Sequence, residues 1–317
     1  MFTQTDFCVV ATRCAGAVML GSLGACNSGG GSVETPVTTV PTADPVVPVD
    51  TVSYTTLTTR TLDADGDSVG LDAYDLIRAF GGSNPIESPD LYAINHPGVA
   101  HIVEDSDAVV GNHFVFRIHR DIDIDRDRVE NDDRQRNEIK TYAGSDEEVK
   151  GFENETVVYR WKFRINESME VSRRFTHLFQ LKAVGGDDSQ PILTISGAER
   201  GGEDGIEVRY SPLQEDTVLQ RDDWSLVTGE WLEAYCRATF AESGDLRLIV
   251  TRLRDDRVIF DIEETGLDLW RGNDATHFVR PKWGIYRSIL DSDNLRPDEE
   301  TVRFANFSVS EVMLENQ

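Results

Sequence analysis

The sequence lacks a disulfide framework, a surplus of basic residues and any long apolar run. It has 317 residues and four cysteines, and because three of the cysteines fall within residues 1–26, disulfides cannot hold the remaining chain together. Lys and Arg number 31 against 57 Asp and Glu, a net charge of −26, which argues against nucleic-acid binding because that function needs a basic surface. No stretch of about 20 apolar residues is available for a transmembrane helix.

The N-terminus has the pattern of a lipoprotein-type signal peptide over residues 1–26. Arg13 precedes a run of apolar and small residues that ends in Leu-Gly-Ala-Cys at residues 23–26. This ending resembles the lipobox of bacterial lipoproteins, in which the cysteine is acylated; an ordinary signal peptide is the alternative. The resemblance implies an outer-membrane lipid anchor through Cys26. We therefore expect an exported protein, either a cell-surface or periplasmic lipoprotein or a secreted one.

Residues 27–56 are rich in Gly, Thr, Val and Pro and nearly free of aromatic side chains. Such a segment cannot bury a core, so we interpret it as a flexible tether. The folded domain is expected over residues 57–317, as a monomer. Its single cysteine, Cys236, stands in an alternating segment, which indicates a small buried apolar residue.

Alternation of polar and apolar residues dominates the chain after the tether. It recurs in many segments, for example residues 113–120, 157–165 and 302–309, with Gly, Asn and Asp at the turns between them. This pattern predicts an all-β fold in one domain, a β-jelly roll or concanavalin A-like antiparallel β-sandwich. Residues 72–80 are the best candidate for a helix.

Four strands carry basic and amide side chains on the faces that point away from the core. In chain order these are Arg117 and His119; Arg136, Glu138 and Lys140; Arg160 and Lys162; and Gln180 and Lys182. If the strands are neighbours in one sheet, they form a basic platform in an otherwise acidic protein. Such a platform suits an extended polyanion, and with nucleic acid disfavoured we expect an acidic polysaccharide as the partner. The alternative is that each strand is half-solvated, with its cations paired to nearby Asp and Glu.

Three strand motifs resemble those of the jelly-roll polysaccharide lyases. They are Arg136-Asn-Glu138-Ile-Lys140, Gln180-Leu-Lys182 and Lys282-Trp-Gly284-Ile-Tyr286, in the order in which those lyases have Arg-x-Glu-x-Arg, Gln-x-His and Lys-x-Gly-x-Tyr. The longer strings DRQRNEIKTY, FTHLFQLK and RPKWGIYRS are more similar to glucuronan lyases than to alginate lyases. The resemblance implies β-elimination on a 1,4-linked, glucuronan-like uronic-acid polysaccharide. Lys182 departs from the alginate-lyase pattern, which has histidine there.

The chemistry of β-elimination assigns roles to these residues. The C5 proton of a uronate leaves next to a carboxylate, whose charge must be neutralised, and we predict Arg136 and Gln180 for that task. In glucuronate or mannuronate the C5 proton and O4 lie on one ring face, so one side chain can act as base and acid, and we predict Tyr286, assisted by His119. Alternation places His177 in the core, which is why His119 is preferred. The predicted substrate-binding residues are Arg117, Glu138, Lys140, Arg160, Lys162, Lys182 and Lys282.

The sequence indicates a metal site less clearly than it indicates the substrate-binding residues. The chemistry requires no cofactor. Two acidic stretches, residues 63–67 and 121–133, could hold calcium, although the first lacks the turn glycine and the twelfth-position acid of a calcium loop. The resemblance to glucuronan lyases implies a structural calcium with unassigned ligands, and no His/Cys cluster in the sequence supports zinc.

Other functions are compatible with parts of this pattern. A jelly-roll glycoside hydrolase needs two carboxylates across its cleft, and the Glu-x-Asp-x-x-Glu signature of such β-glucanases is absent. A non-catalytic surface lipoprotein that binds acidic carbohydrate would need the basic platform but no catalytic tyrosine, and Tyr286 would then stack on sugar at the rim. A lyase acting on alginate, ulvan-like or heparin-like chains also fits the charge.

Overall fold

The computed structural model describes residues 48–68, 70–213 and 215–315. The predicted signal peptide, the acylation site Cys26 and most of the predicted tether lie outside these residues. Within the described part, no helix has the length and apolar character needed to cross a membrane.

The described residues form one α-helix, sixteen strands and four short 3-10 helices. The helix is α1 (Ala73–Gly81), and the strands are β1 (Tyr54–Thr56), β2 (Arg60–Leu62), β3 (Ile86–Glu87), β4 (Ile102–Asp107), β5 (Gly111–His119), β6 (Arg134–Lys140), β7 (Thr156–Ile165), β8 (Thr176–Val184), β9 (Leu193–Arg200), β10 (Glu203–Tyr210), β11 (Thr217–Asp223), β12 (Trp231–Thr239), β13 (Gly244–Arg252), β14 (Arg257–Leu267), β15 (Phe278–Ser288) and β16 (Glu299–Leu314). The 3-10 helices are Pro89–Leu91, Glu147–Val149, Trp224–Leu226 and Ser292–Asn294.

The strands form two antiparallel sheets. The nine-stranded sheet has the order β14-β13-β12-β7-β16-β5-β4, with β1 and β2 also paired to β16, and the seven-stranded sheet has the order β11-β10-β9-β8-β15-β6-β3. This arrangement confirms the predicted all-β antiparallel sandwich. Helix α1 confirms the predicted helix, and it begins after Asp72, whose side chain accepts a hydrogen bond from the backbone N–H of Asp75 at 2.9 Å.

Aromatic side chains from the two sheets meet in the core between them. Trp161 of β7 stacks on Phe179 of β8 with 4.4 Å between ring centroids, and its ring lies 6.2 Å from that of Trp283 on β15. Burying side chains of this size contributes roughly 1.5–3 kcal/mol each. The prediction for Cys236 is confirmed, since it is a buried free cysteine of this core and burial raises the pKa of its thiol to about 12.

The domain begins earlier in the chain than predicted. β1 pairs with the end of β16, and the Asp50 carboxylate accepts hydrogen bonds from Arg237 and Tyr235 of β12. Residues 48–56 therefore pack against the nine-stranded sheet, and the predicted boundary at residue 57 is wrong. The Thr- and Val-rich composition that suggested a tether also suits an edge strand.

Candidate active site

Three neighbouring strands of the seven-stranded sheet bring the three sequence motifs together. β15 lies between β6 and β8. In the β15–β6 register Tyr286 lies opposite Arg136, and in the β15–β8 register Lys282 lies opposite Gln180. Because alternate residues of β15 point to the same side, these four side chains share the face that points away from the core.

Gly284 sets the position of Tyr286 on β15. Its φ is +143°, and a Cβ at this position would lie 2.2 Å from the backbone oxygen of Asn137 on β6. Glycine is therefore required for β15 to approach β6 so closely. Beside it, the pairing with β8 shifts between Trp283 and Tyr286, so that Tyr286 lies opposite His177.

A β-bulge on β8 overturns the prediction that His177 lies in the core. The β8–β9 register shifts between His177 and Phe179, and an extra residue in a strand reverses the alternation on one side of it. Leu178 consequently joins the hydrophobic core. His177 turns to the opposite face and lines the same cleft as Tyr286.

This outer face of the seven-stranded sheet carries an open cleft of about 510 Å³. Its basic lining residues are Arg134, Arg136, Arg174, Lys182 and Arg209, and its acidic ones are Asp133 and Asp216. The cleft is therefore basic although the whole chain carries a charge of −26. A second open cleft of about 760 Å³ is lined by Glu203, Asp204, Asp222 and Asp223 among others, and its negative charge would repel a polyanion.

Tyr286 lies half-buried in the cleft among cations and aromatic rings. Its hydroxyl accepts a hydrogen bond from Arg134 Nη1 at 2.9 Å, and the Arg136 guanidinium carbon lies 3.6 Å from its ring centroid. The rings of Phe175 and His177 are 5.2 Å and 5.8 Å from it. The two guanidinium groups would stabilise the negative charge that develops on the phenol oxygen when its proton leaves.

Hydrogen bonds hold His177 in one tautomer. Its Nδ1 lies 2.6 Å from Ser196 Oγ, and the Ser196 hydroxyl donates to Thr194 Oγ1 at 2.9 Å. Ser196 has no second hydrogen, so Nδ1 of His177 carries the proton and Nε2 carries the lone pair. Burial, followed by the positive charges of Arg209 and Arg136, holds the pKa of His177 well below its usual range. The imidazole is therefore neutral near neutral pH in the substrate-free protein.

Gln180 and Lys182 extend the cleft along β8. The Gln180 amide nitrogen donates to Glu138, and Lys182 Nζ donates to the backbone oxygen of Asp188 at 2.7 Å. Burial, followed by repulsion from Lys282, lowers the pKa of Lys182 to about 8. Lys182 is thus a cation near neutral pH that loses its charge under mildly alkaline conditions.

A buried ion network lies directly beside the cleft. Lys282 Nζ lies 2.8 Å from Glu87 Oε2 and 2.6 Å from Glu138 Oε2, and Arg136 lies 2.7 Å from Asp125 through Nε and 2.5 Å from Glu138 through Nη1. Burial alone would raise the pKa of Glu87, but Lys282 and Arg136 hold it well below its usual range. The edge of the Arg136 guanidinium is thus occupied by carboxylates. The flat face of the guanidinium packs against the ring of Tyr286. The prediction that Arg136 neutralises a substrate carboxylate does not fit this geometry, because its N–H groups already bind Asp125 and Glu138.

Comparisons with known proteins bear on the fold. No protein-family model and no curated protein matches the sequence. Alginate lyase Aly36B has 12% identity and a TM-score of 0.52 over 81% of this chain and 98% of its own, and the marine PL-14 alginate lyase from Aplysia kurodai has 11% identity and a TM-score of 0.50 over 82% and 100%. The chain has the jelly-roll fold of these lyases. An endo-β-1,4-glucuronan lyase from the fungus Trichoderma reesei matches with 14% identity over 71% of this chain and 93% of its own, at a TM-score of 0.45.

Two strands of the predicted basic platform belong to the other sheet of the jelly roll. β5, with Arg117 and His119, and β7, with Arg160 and Lys162, are both in the nine-stranded sheet. Arg160 packs there against the ring of Tyr235, 4.4 Å from its centroid. The predictions that four strands form one platform, and that Arg117, Arg160 and Lys162 bind substrate on it, are wrong, because alternation identifies the outward face of a strand but not its sheet.

Lys140, Lys282 and Glu138 lie on the correct sheet but in the ion network. Lys140 Nζ lies 2.7 Å from Glu87 Oε1, and Lys282 is 2% exposed. Their charges are compensated within the protein and none of the three lines the cleft. The structure thus places all three in the ion network and not at the surface of the cleft, where they were expected.

His119 also lies away from the cleft. Its ring centroid is 4.9 Å from that of His96 and 5.1 Å from that of His101, and its Nδ1 is 3.2 Å from Asp123 Oδ2. It does not line the cleft that contains Tyr286. The structure thus places His177, and not His119, beside Tyr286.

The site residues that were not predicted from the sequence include Arg134, Glu87 and Arg209. Glu87 lies on β3, which has two residues and so shows no alternation. Arg209 on β10 pairs with Asp216 at 2.8 Å and lines the cleft. The alternation of Glu207 and Arg209 on that strand is a signal that could have identified it.

The acidic stretches do not form a carboxylate cage. Asp63 accepts a hydrogen bond from Asn306 and Asp65 accepts one from the backbone of Leu71. Within residues 48–68, 70–213 and 215–315, the single group of three or more metal-ligating side chains consists of three histidines and an aspartate. The expected structural calcium therefore stays a prediction without assigned ligands.

Proposed function

We propose that this protein is a polysaccharide lyase that cleaves a 1,4-linked, glucuronan-like uronic-acid polysaccharide by β-elimination. The observation that carries the proposal is the position of Tyr286 in a basic cleft, with its hydroxyl bonded to Arg134 and a neutral His177 beside it. The fold shared with alginate lyases supports the reaction class, and the basic lining supports an acidic polymer.

The cleft supplies the groups that the elimination needs. As the C5 proton leaves, negative charge spreads onto the uronate carboxyl group and must be stabilised. Gln180, Lys182 and Arg209 line the cleft on β8 and β10 and are the donors proposed for that carboxylate. They replace Arg136 in this role, while Gln180 keeps the role predicted for it.

Tyr286 is proposed as both base and acid. The phenol gives up its proton with help from Arg134 and then removes the C5 proton of the sugar. The electron pair of that C–H bond forms the C4–C5 double bond, and the C4–O4 bond breaks. Tyr286 then returns the proton to O4 on the same ring face. The carboxylate of a bound uronate would offset the positive charges around His177, and His177 is proposed to accept the phenol proton in that complex.

The proposal is tested by incubating the full chain with a panel of acidic polysaccharides and following the ultraviolet absorbance of unsaturated uronate ends. Glucuronan is expected to give the highest kcat/KM, because the three strand motifs are most similar to those of glucuronan lyases; mannuronate-rich alginate, which also has its C5 proton and O4 on one ring face, should follow. Absorbance that rises with none of the polymers would exclude the lyase and leave a carbohydrate-binding surface protein.

On the sequence motif alone, we also propose export and a lipid anchor at Cys26.

Replacing His177 with Gln is expected to lower kcat roughly 10²-fold, because an amide side chain cannot take a proton. Initial rates at saturating polysaccharide measure the effect. The control is His277→Gln, a histidine outside the cleft lining, which should retain the full rate. If His177→Gln kept the full rate while His177→Ala lost activity, His177 would have a structural role next to Ser196 and no role in proton transfer.

The charge of Lys182 is expected to make substrate affinity pH-dependent. Below its pKa of about 8 the ammonium attracts the uronate carboxylate, and as pH rises through that value the charge is lost, so KM should increase by roughly tenfold. Steady-state kinetics between about pH 7 and pH 9 measure this increase. Lys182→Arg stays protonated over that range and should show a flat KM; an equal increase in this variant would assign the effect to another group.

A further inference from the structure

Four side chains with metal-ligating atoms meet at one end of the nine-stranded sheet, outside the cleft. They are His96 from the loop before β4, His101 next to β4, His119 at the end of β5 and Asp123 in the loop that follows it. One ligand atom from each lies within 4.8 Å of all the others. The side chains of His101 and Asp123 are fully buried, while those of His96 and His119 are 18% and 17% exposed.

The outer nitrogens of two of these rings already have acceptors. His101 Nδ1 lies 2.6 Å from the backbone oxygen of Val99 and 3.5 Å from Asp90. His119 Nε2 lies 3.2 Å from Glu299 Oε2. Each of these nitrogens is therefore placed to donate a hydrogen, so the atoms left to bind a metal would be His101 Nε2 and His119 Nδ1, which face inward. Histidines that bind metals have this arrangement, in which the second ring nitrogen donates to a carbonyl or carboxylate.

His101 Nε2, His119 Nδ1 and Asp123 are spaced as metal ligands are. His101 Nε2 lies 3.3 Å from His119 Nδ1, and each is within 3.2 Å of an Asp123 oxygen. His96 Nδ1 lies 2.9 Å from Asp123 Oδ1. With zinc–nitrogen distances of about 2.0–2.1 Å, two ligand atoms of a tetrahedral site are about 3.3 Å apart. Two imidazole lone pairs that face one another at this distance repel unless a cation or a proton lies between them.

We propose that His96, His101, His119 and Asp123 form a tetrahedral site for Zn²⁺. Three imidazoles and one carboxylate are ligands that zinc prefers, whereas calcium takes oxygen ligands almost exclusively. Four protein ligands leave no open position, so the ion is structural. The expectation that no histidine cluster supports zinc is corrected here, because the four residues become neighbours only through the pairing of β4 with β5.

The site would order the loop that leads into the cleft. Gln135 on β6 donates to the backbone oxygens of His119 and Asp123, and Asp125, two residues after the proposed ligand Asp123, binds Arg136 at 2.7 Å. Arg136 in turn lies against the ring of Tyr286. A zinc ion would therefore fix the segment between β5 and β6 that positions the floor of the cleft.

The test measures metal binding and needs no enzymatic activity. The full chain is dialysed against a chelator, titrated with Zn²⁺, and analysed for bound metal by mass spectrometry; Co²⁺ serves as a spectroscopic probe of geometry. We expect one ion per chain, the strong visible absorption of tetrahedral Co²⁺, and a higher melting temperature with zinc.

His96→Ala is the first variant, because His96 is a partly exposed loop residue whose loss leaves the strands intact. Its zinc dissociation constant should rise roughly 100-fold or more, as should that of His101→Ala, while His277→Gln should bind as the unaltered chain does. Failure of the metal-free chain to bind either ion stoichiometrically would overturn the site and leave a hydrogen-bonded imidazole–carboxylate network. Unchanged zinc affinity in His96→Ala would mean that His96 is not a ligand. Unchanged affinity in both His96→Ala and His101→Ala would place the ion elsewhere and overturn the proposed site.

Discussion

Tyr286→Phe is expected to lower kcat by roughly 10³-fold or more and to leave polysaccharide binding nearly unchanged. The variant keeps the ring that packs against Arg136 and removes only the hydroxyl that Arg134 binds. If this hydroxyl carries both the proton removed from C5 and the proton returned to O4, its loss affects two acid–base steps, each worth about 10²–10⁴-fold. The ring alone still offers a stacking surface to a sugar.

The measurement has two arms. Ultraviolet absorbance at saturating polysaccharide gives kcat, and titration calorimetry with the same polymer gives the dissociation constant. Tyr142→Phe is the matched control, because it removes a tyrosine hydroxyl that binds Ser83 at 2.8 Å outside the cleft, and it should retain both activity and affinity.

The remaining outcomes for Tyr286→Phe separate the alternatives. Equal loss of rate and affinity would make Tyr286 a sugar-binding residue and not a proton carrier. Full activity in the variant would exclude the phenol from catalysis and leave His177 or Lys182 as the base. Both outcomes are consistent with a basic cleft, so the rate and the affinity of the variant have to be measured separately.

Alternation was sufficient to predict the core of the sandwich. On β7, Tyr159, Trp161, Phe163 and Ile165 are each at most 2% exposed, as their spacing predicts. The strand carries no bulge against β12, so its period of two is preserved along its length. Where a strand is regular, sequence and structure agree residue by residue.

His177 shows where this reasoning fails. The bulge at Leu178 and the close approach at Gly284 change which residues face the cleft, and both depend on the backbone of a neighbouring strand. A single sequence contains no information on that neighbour. The same limit explains the errors for Arg117 and Arg160, whose outward direction was predictable but whose sheet was not.

The cations of the motifs show a second limit. Lys282 and Arg136 suggested a free positive surface, but carboxylates neutralise both. Lys282 binds Glu87 and Glu138, 195 and 144 positions earlier in the chain, whereas Arg136 binds Asp125 and Glu138, 11 and 2 positions away. Net charge along a strand is therefore a weak guide to the charge that a ligand would meet. The basic character of the cleft depends on Lys182, Arg134 and Arg209, which line it, although the two arginines pair with Asp133 and Asp216.

Lys282→Met is expected to destabilise the domain by about 3–5 kcal/mol, because it removes one partner from a buried ion network. Glu87 and Glu138, 4% and 1% exposed, would keep their negative charges without the ammonium that lies 2.8 Å and 2.6 Å from them. Methionine fills a similar volume, so the loss would reflect charge and not packing. Denaturation in urea followed by tryptophan fluorescence gives the free energy of unfolding.

Lys162→Met is the matched control for this experiment. Lys162 lies on β7, on the outward face of the other sheet, and is partly exposed, so its substitution should change the free energy of unfolding by no more than about 0.5 kcal/mol. Sequence alone assigned the two lysines the same role in substrate binding, whereas the structure assigns Lys282 to the interior. Equal stability of the two variants would mean that Glu87 and Glu138 are adequately compensated by Lys140 and Arg136.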